Sequence, residues 1–415
     1  MKKYNVYIEI NGNMTLIGAL NSKEENSATF QYDANYLNLE NAKAMSVALP
    51  LQSESFTENQ TRNFFEALLP EGFSRQSLAN SIRKNENDYI GLLSVVGREC
   101  IGAILIGDDC DLPSEYIPVE DETIKSLAAE GASKSAEILT KTHLSLAGAT
   151  GKVGLFLDDK TGKWYLPQGL APSTHIIKQS HVRYKDIVVN EALCLNLAKK
   201  CGIDVPDSFI IETGGKTDDN ILFAVKRFDR YSDEGKIHRL HQEDFAQALS
   251  IPANQKYELE GAHHMRQMFN VLRNFSANPI EDQIKLFRMI AFNVIIGNTD
   301  AHLKNYSIVY DKHLGNRRLS PAYDMLCTIY HRTTNMLSFN INGKYDINEV
   351  MRGDLLQAAK EVGLGLKIAS NALDDLCNSF ESNARESSYE LTQQGFDKSG
   401  DILEVILQNA KNVIG

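Results

Sequence analysis

The residues with the types and spacing for chemistry lie late in the chain. Gly297-Asn298-Thr299-Asp300-Ala301-His302-Leu303-Lys304-Asn305 follows an apolar stretch ending at Ile296. Asp300 and Asn305 stand in the D-x-x-x-x-N spacing of phosphotransfer loops. Phosphoryl transfer asks little covalent chemistry of a protein. It needs a carboxylate to orient an attacking hydroxyl and accept its proton, and an amide oxygen for Mg²⁺. Taken alone, the pattern is that of a helix C-terminus with polar loop residues, and Asn298-Thr299 stands where protein kinases carry His-Arg. Ser320-Pro321-Ala322-Tyr323-Asp324 changes the weighing. In this order Asp324 can bridge Mg²⁺ to the β- and γ-phosphates of ATP, as the aspartate of D-F-G does, although D-F-G itself is missing here.

Upstream, Thr174-His175-Ile176-Ile177-Lys178 puts a lysine at the end of an apolar strand. There an ammonium can neutralise α- and β-phosphates, or simply keep a strand end soluble. Glu191, early on the helix expected from Asp186, fits equally as the glutamate that orients Lys178 and as an exposed helix residue. Ser145-Leu146-Ala147-Gly148-Ala149-Thr150-Gly151-Lys152-Val153-Gly154 is punctuated by glycines that let backbone N–H groups approach phosphate oxygens. It is not a Walker A motif, since two residues separate Gly148 from Gly151 and valine follows Lys152. A phosphate-covering loop before a strand fits it, and so does a flexible hairpin. His263-His264 is adjacent rather than at i, i+4 and cannot present two metal ligands on one helical face. Trp164 reads as core.

These side chains must be positioned by a β-rich segment and then a helical one. Tyr4 to Ile10 alternates and meets Asn11-Gly12, a hairpin turn signal. Ala28–Tyr32 adds a strand, Arg62 to Val96 has helical spacing broken at Pro70-Glu71-Gly72, and Ile101–Ile106 returns to strand. The acidic, Pro-bearing stretch from Asp108 to Glu122 reads as a linker. Short strands are expected at Val153–Leu157, Trp164–Leu166, Thr174–Lys178, Phe209–Glu212 and Ile221–Phe228, with a helix from Asp186 to Lys200. Helices are expected at Gln242–Leu249, Met265–Phe275, Glu281–Ile296, Leu355–Val362, Lys367–Phe380 and Ile402–Val413. The expected organisation is a first subdomain over residues 1–110, a linker over 111–141, a β-rich lobe with the phosphate loop over 142–230, and a helical lobe over 231–415. No internal repeat or low-complexity tract interrupts it.

The 415 residues suit more than one packed unit. With 43% hydrophobic and 23% charged residues, most of the chain should fold. A net charge of −11 argues against holding nucleic acid through a global field. The six cysteines form no C-x-x-C pair and read as buried free thiols rather than a disulfide or zinc framework. No secretion signal and no run of about 18 apolar residues is present, so a cytoplasmic protein without a membrane span is expected.

Together the motifs resemble the HipA family of bacterial toxin–antitoxin kinases along nearly the whole chain. The resemblance is carried by Asn63-Phe64-Phe65-Glu66-Ala67-Leu68-Leu69-Pro70, Val96-Gly97-Arg98, Ser145 to Ala149, Thr174 to Lys178, Asn190-Glu191, Arg227-Phe228-Asp229-Arg230, Gln242-Glu243-Asp244, Thr299 to Asn305 and Pro321 to Asp324. It implies an α+β fold: a bilobal protein-kinase-like body, with a β-rich N-lobe and a helical C-lobe, behind a small N-terminal α+β subdomain. It implies Lys178 on ATP phosphates, Asp300 as catalytic base, and Asn305 and Asp324 on Mg²⁺. Gly148, Ala149, Thr150, Gly151 and Lys152 would form the phosphate loop, and Lys226 and Phe228 would lie at the adenine-binding hinge. Ser145 matches the family's autophosphorylated serine, whose phosphate holds the loop away from ATP. Implied partners are a small helix-turn-helix antitoxin, operator DNA reached only through it, and an aminoacyl-tRNA synthetase as protein substrate. Two positions depart from the family pattern: Thr150-Gly151 replaces Gln-Glu, and Lys226 stands where the hinge is often acidic. A small-molecule kinase of the aminoglycoside phosphotransferase type and a catalytically silent corepressor are the competing readings. The first 110 residues and the Ser145 loop speak against the former, and retention of Lys178, Asp300, Asn305 and Asp324 against the latter.

Overall fold

The computed structural model describes residues 2–414 except 25, 109–112, 143–145, 147–150 and 181–183. The chain forms two compact units. The first takes residues 1–181, 211–253 and 308–317, the second residues 182–210, 254–307 and 318–415.

Two larger sheets dominate the first unit. One runs in the order Ser27–Tyr32, Asn13–Glu24, Lys2–Ile10, Ile104–Gly107. Its first hairpin turns at Asn11 (φ 49°) and Gly12 (φ 78°), the positive pair that the Asn-Gly signal calls for. Helices Glu58–Phe65, Gly72–Ser81 and Tyr89–Val96 follow. The break at Pro70-Glu71-Gly72 is where expected, and a second break falls at residues 82–88.

The second sheet runs Glu115–Pro118, Lys163–Gln168, Lys152–Asp158, His175–Gln179, Ile221–Lys226, Ser208–Glu212. Residues 111–141, read from sequence as a linker, carry its edge strand and two helices, Asp121–Glu130 and Ala132–Thr142. The composition misleads because Asp121 and Glu122 are first-turn acids that suit a helix N-terminus. Ile124, Leu127, Ala128, Ile138 and Leu139 then pack on Val153, Leu155, Ile177, Leu222 and Ala224 of the sheet.

Strand periodicity makes that packing directional. Ile177 faces the helices, so its neighbour Lys178 emerges on the other face. Lys178 is paired with Lys152 on one side and Phe223 on the other.

The second unit is mainly helical: Ile187–Lys200, His264–Phe275, Pro279–Ile296, Arg352–Glu361, Leu366–Cys377, Phe380–Gln393 and Lys398–Ile414. The expected helix at Gln242–Leu249, in the first unit, is instead a strand, Gln242–Asp244, and a short helix, Phe245–Ala248. Asp244 accepts from Gln247 N and so caps the helix after the strand rather than continuing one. Among the described residues no helix is long and apolar enough to cross a membrane.

Candidate active site

The acid–amide loop is built by the end of one helix. Pro279–Ile296 is buried along most of its second half, and Gly297 closes it at φ 80°, where its N–H bonds Asn293 O and Val294 O. A Cβ on Gly297 would stand 2.5 Å from Ile329 Cδ1, so both backbone and space call for glycine. The chain then reverses through Asn298. Its Nδ2 donates to Asn293 Oδ1 at 2.8 Å and toward Asp324 O at 3.4 Å, while its Oδ1 accepts from Asp300 N at 3.1 Å. Thr299 is held from both sides: its N–H donates to Thr328 Oγ1 at 2.7 Å, and its carbonyl accepts from Ser338 Oγ at 2.8 Å.

Asp300 emerges exposed from this buried frame. Oδ1 of its carboxylate accepts a hydrogen bond from Tyr257 Oη at 2.6 Å. Asn305 closes a short turn, accepting from His302 N at 3.1 Å and reaching Asp324 Oδ2 with Nδ2 at 3.5 Å. Asp324 is half-buried and holds φ 52°, a left-handed conformation that aspartate tolerates because its short polar side chain bonds locally. The second unit thus brings Asp300, Asn305 and Asp324 together. Asp324 offers a carboxylate oxygen beside the Asn305 amide, whose nitrogen faces it here and whose oxygen would serve Mg²⁺ once the amide turns; Mg²⁺ takes one or two side-chain oxygens and completes its shell with phosphate and water.

The lysine half lies in the first unit. Lys178 is buried and Lys152 half-buried, directly opposite one another on neighbouring antiparallel strands. Like charges in that register repel, which an anion placed between them would reverse. Burial of Lys178 does not fit the reading of a solubilising strand end. Gly151 precedes this strand and is wedged: a Cβ there would stand 1.7 Å from Gln179 Nε2, whose partner oxygen accepts from Ser135 Oγ at 3.0 Å. Ser145, Gly148, Ala149 and Thr150 lie outside the described residues. Lys226 is exposed and pairs with His175, so strand alternation puts it on the face opposite Lys178. Burial, with Lys226 adding repulsion, pushes the His175 imidazole down to about 4. Phe228 is half-buried between Arg227 and Asp229, which are both buried.

Glu191 is buried in the second unit on helix Ile187–Lys200, unlike the exposed glutamate of the alternative reading. Its helix faces core along most of its length, anchored by Asn190, which bonds Cys327 O at 3.0 Å and Cys327 N at 2.8 Å. Sequence reasoning passed over Tyr257 and Asn298. Asn298 left a trace as the replacement for His-Arg, whereas Tyr257 left none, being 43 residues from the loop it touches.

An acid–amide loop in a helical unit, in a chain whose other unit is β-rich, defines a kinase-like α+β protein, and comparison with known proteins agrees. The HipA-like C-terminal domain matches residues 144–384 and the HipA N-terminal domain residues 8–107. The chain belongs to the HipA family. It is 32% identical to the Y4mE protein of Sinorhizobium fredii over 375 residues, 88% of this chain and 87% of that protein. To the serine/threonine-protein kinase toxin HipA of Shewanella oneidensis it is 29% identical over 338 residues, 78% of this chain and 75% of that one. The fold matches that of HipA solved with HipB and operator DNA from Shewanella oneidensis, with a TM-score of 0.80 at 22% identity over 99% of this chain and 97% of that chain.

Proposed function

We propose that the chain is an ATP- and Mg²⁺-dependent serine/threonine protein kinase that acts in the cytoplasm as the toxin of a toxin–antitoxin pair. The observation that carries the reading is the convergence of Asp300, Asn305 and Asp324 on one frame in the second unit. The facing lysines Lys152 and Lys178 in the first unit support it.

In this reading Asp300 orients the acceptor hydroxyl and takes its proton as the acceptor oxygen bonds the γ-phosphorus. The bond from that phosphorus to the β-phosphate oxygen breaks, and ADP leaves with the electron pair. Bound Mg²⁺ supplies charge neutralisation at the β- and γ-phosphates. Asn305 and Asp324 would hold it. Lys178 and Lys152 offset phosphate charge, Glu191 is the candidate to orient Lys178, and residues 148–151 close the loop over phosphate. At the hinge, residues 226–228 would meet adenine through backbone, so the departure at Lys226 is tolerated. Ser145 is the autophosphorylation site, where roughly −1.5 to −2 added charges disfavour a loop closed over triphosphate. The acceptor is an aminoacyl-tRNA synthetase, and a helix-turn-helix antitoxin binds the chain.

Purified chain with γ-labelled ATP should gain one phosphate, on Ser145 by peptide mapping, in Mg²⁺ but not in excess chelator. Asp300→Ala and Asp324→Ala should each abolish labelling. Near-normal labelling in either variant would sink the assignment, and phosphate elsewhere with Ser145 unmodified would remove that residue from it. Phosphoproteomics after brief induction should show a synthetase as the main new phosphoprotein.

A further inference from the structure

An exposed carboxylate rotates freely, whereas a base in phosphoryl transfer must be held in line with the hydroxyl it serves. Asp300 is exposed, yet its Oδ1 is tied to Tyr257 Oη at 2.6 Å, the short distance of a charge-assisted bond. Tyr257 comes from outside the loop motif, and the structure fixes it on both flanks. Leu303 N donates to Lys256 O at 3.4 Å, and Glu258 N donates to Ser338 O at 2.7 Å.

Glu258 is itself an anchor. Its carboxylate accepts from His264 N at 2.7 Å, Asn340 N at 2.7 Å, Asn340 Nδ2 at 2.6 Å and Tyr345 Oη at 3.0 Å. Ser338 ties the two partners to one strand, because its carbonyl takes Glu258 N while its hydroxyl donates to Thr299 O, one residue before Asp300. The Tyr257 ring stands edge-on to His302 at 5.2 Å and 82°. These restraints make the phenol part of the loop's frame rather than a loose surface ring.

We infer that Tyr257 is a positioning residue for the phosphotransfer step. It commits Oδ1 of Asp300 to the phenol, so that Oδ2 is presented to the acceptor hydroxyl. The inference rests on the reading of Asp300 as the base. Tyr257→Phe deletes only the hydroxyl, from a residue 44% exposed, and should leave the fold intact.

The test measures total γ-phosphate leaving ATP, to the chain and to water, by single-turnover and steady-state kinetics. Tyr257→Phe should lower kcat on the order of 10- to 100-fold with KM for ATP changed by less than about twofold. In an Asp300→Asn background the same substitution should change the residual rate by less than about twofold, because its effect passes through the carboxylate. Leu259→Ala, an exposed neighbour on the same segment, should behave as wild type. A wild-type kcat in Tyr257→Phe overturns the inference. So does an undiminished effect in the Asp300→Asn background, or an equal loss in Leu259→Ala. An Asp300→Asn chain with full activity instead overturns the reading of the base, a separate outcome.

Discussion

Asp324 meets two demands at one position, an oxygen near Asn305 and a left-handed backbone at φ 52°. Asparagine meets the second demand and keeps an oxygen but lacks the charge; alanine meets neither. Both Asp324→Asn and Asp324→Ala should therefore lose phosphotransfer. Only Asp324→Ala should also lose stability, by about 1 to 2 kcal/mol in urea unfolding, where the asparagine variant stays near wild type. An active Asp324→Asn chain would remove the charge, and with it metal binding, from the account of this residue. Asp300 and Asn305 stood out in sequence as candidates because a short loop fixes their spacing, whereas Asp324, 19 residues past Asn305, is brought to it by the fold. Tyr257 did not stand out, since nothing in a lone Lys-Tyr-Glu marks the fold that returns it to Asp300. The buried state of Glu191 was equally hidden, because a glutamate on a helix gives no sign of which face its neighbours cover.

At the scale of elements, alternation in short strands was readable, and the register that sets Lys152 against Lys178 was not. Register depends on partner strands far apart in sequence. The joint around Arg227-Phe228-Asp229-Arg230 shows what such long-range pairing holds. Within the first unit Glu99 accepts from Ser173 Oγ at 2.7 Å and pairs with Arg230 at 3.0 Å and Arg227 at 3.4 Å. Asp229 pairs with Arg227 at 2.7 Å, and Glu9 with Arg239 at 3.1 Å. All these ion-paired side chains are nearly inaccessible, and they join residues near 9 and 99 to residues near 229 and 239. Removing one partner leaves a buried charge uncompensated, so Glu99→Gln or Arg227→Met should cost about 3 to 5 kcal/mol by chemical denaturation. Burial pushes the Glu99 carboxyl up, and Arg239, Arg230 and Arg227 pull it further down, to a net value below the ordinary 4.5. A carboxyl depressed in the folded state stabilises above its ordinary value, and that stability disappears as pH falls through the depressed one. Wild type should lose stability steadily below about pH 4.5, and Glu99→Gln should show a shallower slope there. Equal slopes would mean that Glu99 takes up no extra proton on unfolding.

At the scale of the whole molecule, the passage from β-rich to helical sequence was legible, but the partition into units was not. Residues 308–317 return to the first unit after a long helical stretch, held there by contacts such as Asn11 N to Lys312 O and Tyr310 Oη to Glu243. No local pattern announces such a return. Net charge, by contrast, is additive and can be read directly. At −11 the isolated chain presents an unfavourable field to phosphate, whereas the proposed helix-turn-helix partner, if basic and dimeric, would supply both neutralisation and major-groove readout. Gel-shift titrations with operator DNA at about 0.15 M salt should then show no specific complex with the chain alone. The partner alone should shift the DNA, and adding the chain should retard that complex further. Two chains per partner dimer would follow from the two-fold symmetry of a palindromic operator, readable as a plateau in the titration. Because the proposed regulatory role would need surface rather than chemistry, Asp300→Ala should retard the complex as wild type does while losing phosphotransfer. Specific binding by the isolated chain, or a partner–DNA complex unmoved by its addition, would separate this chain from DNA regulation and leave its kinase chemistry to stand alone.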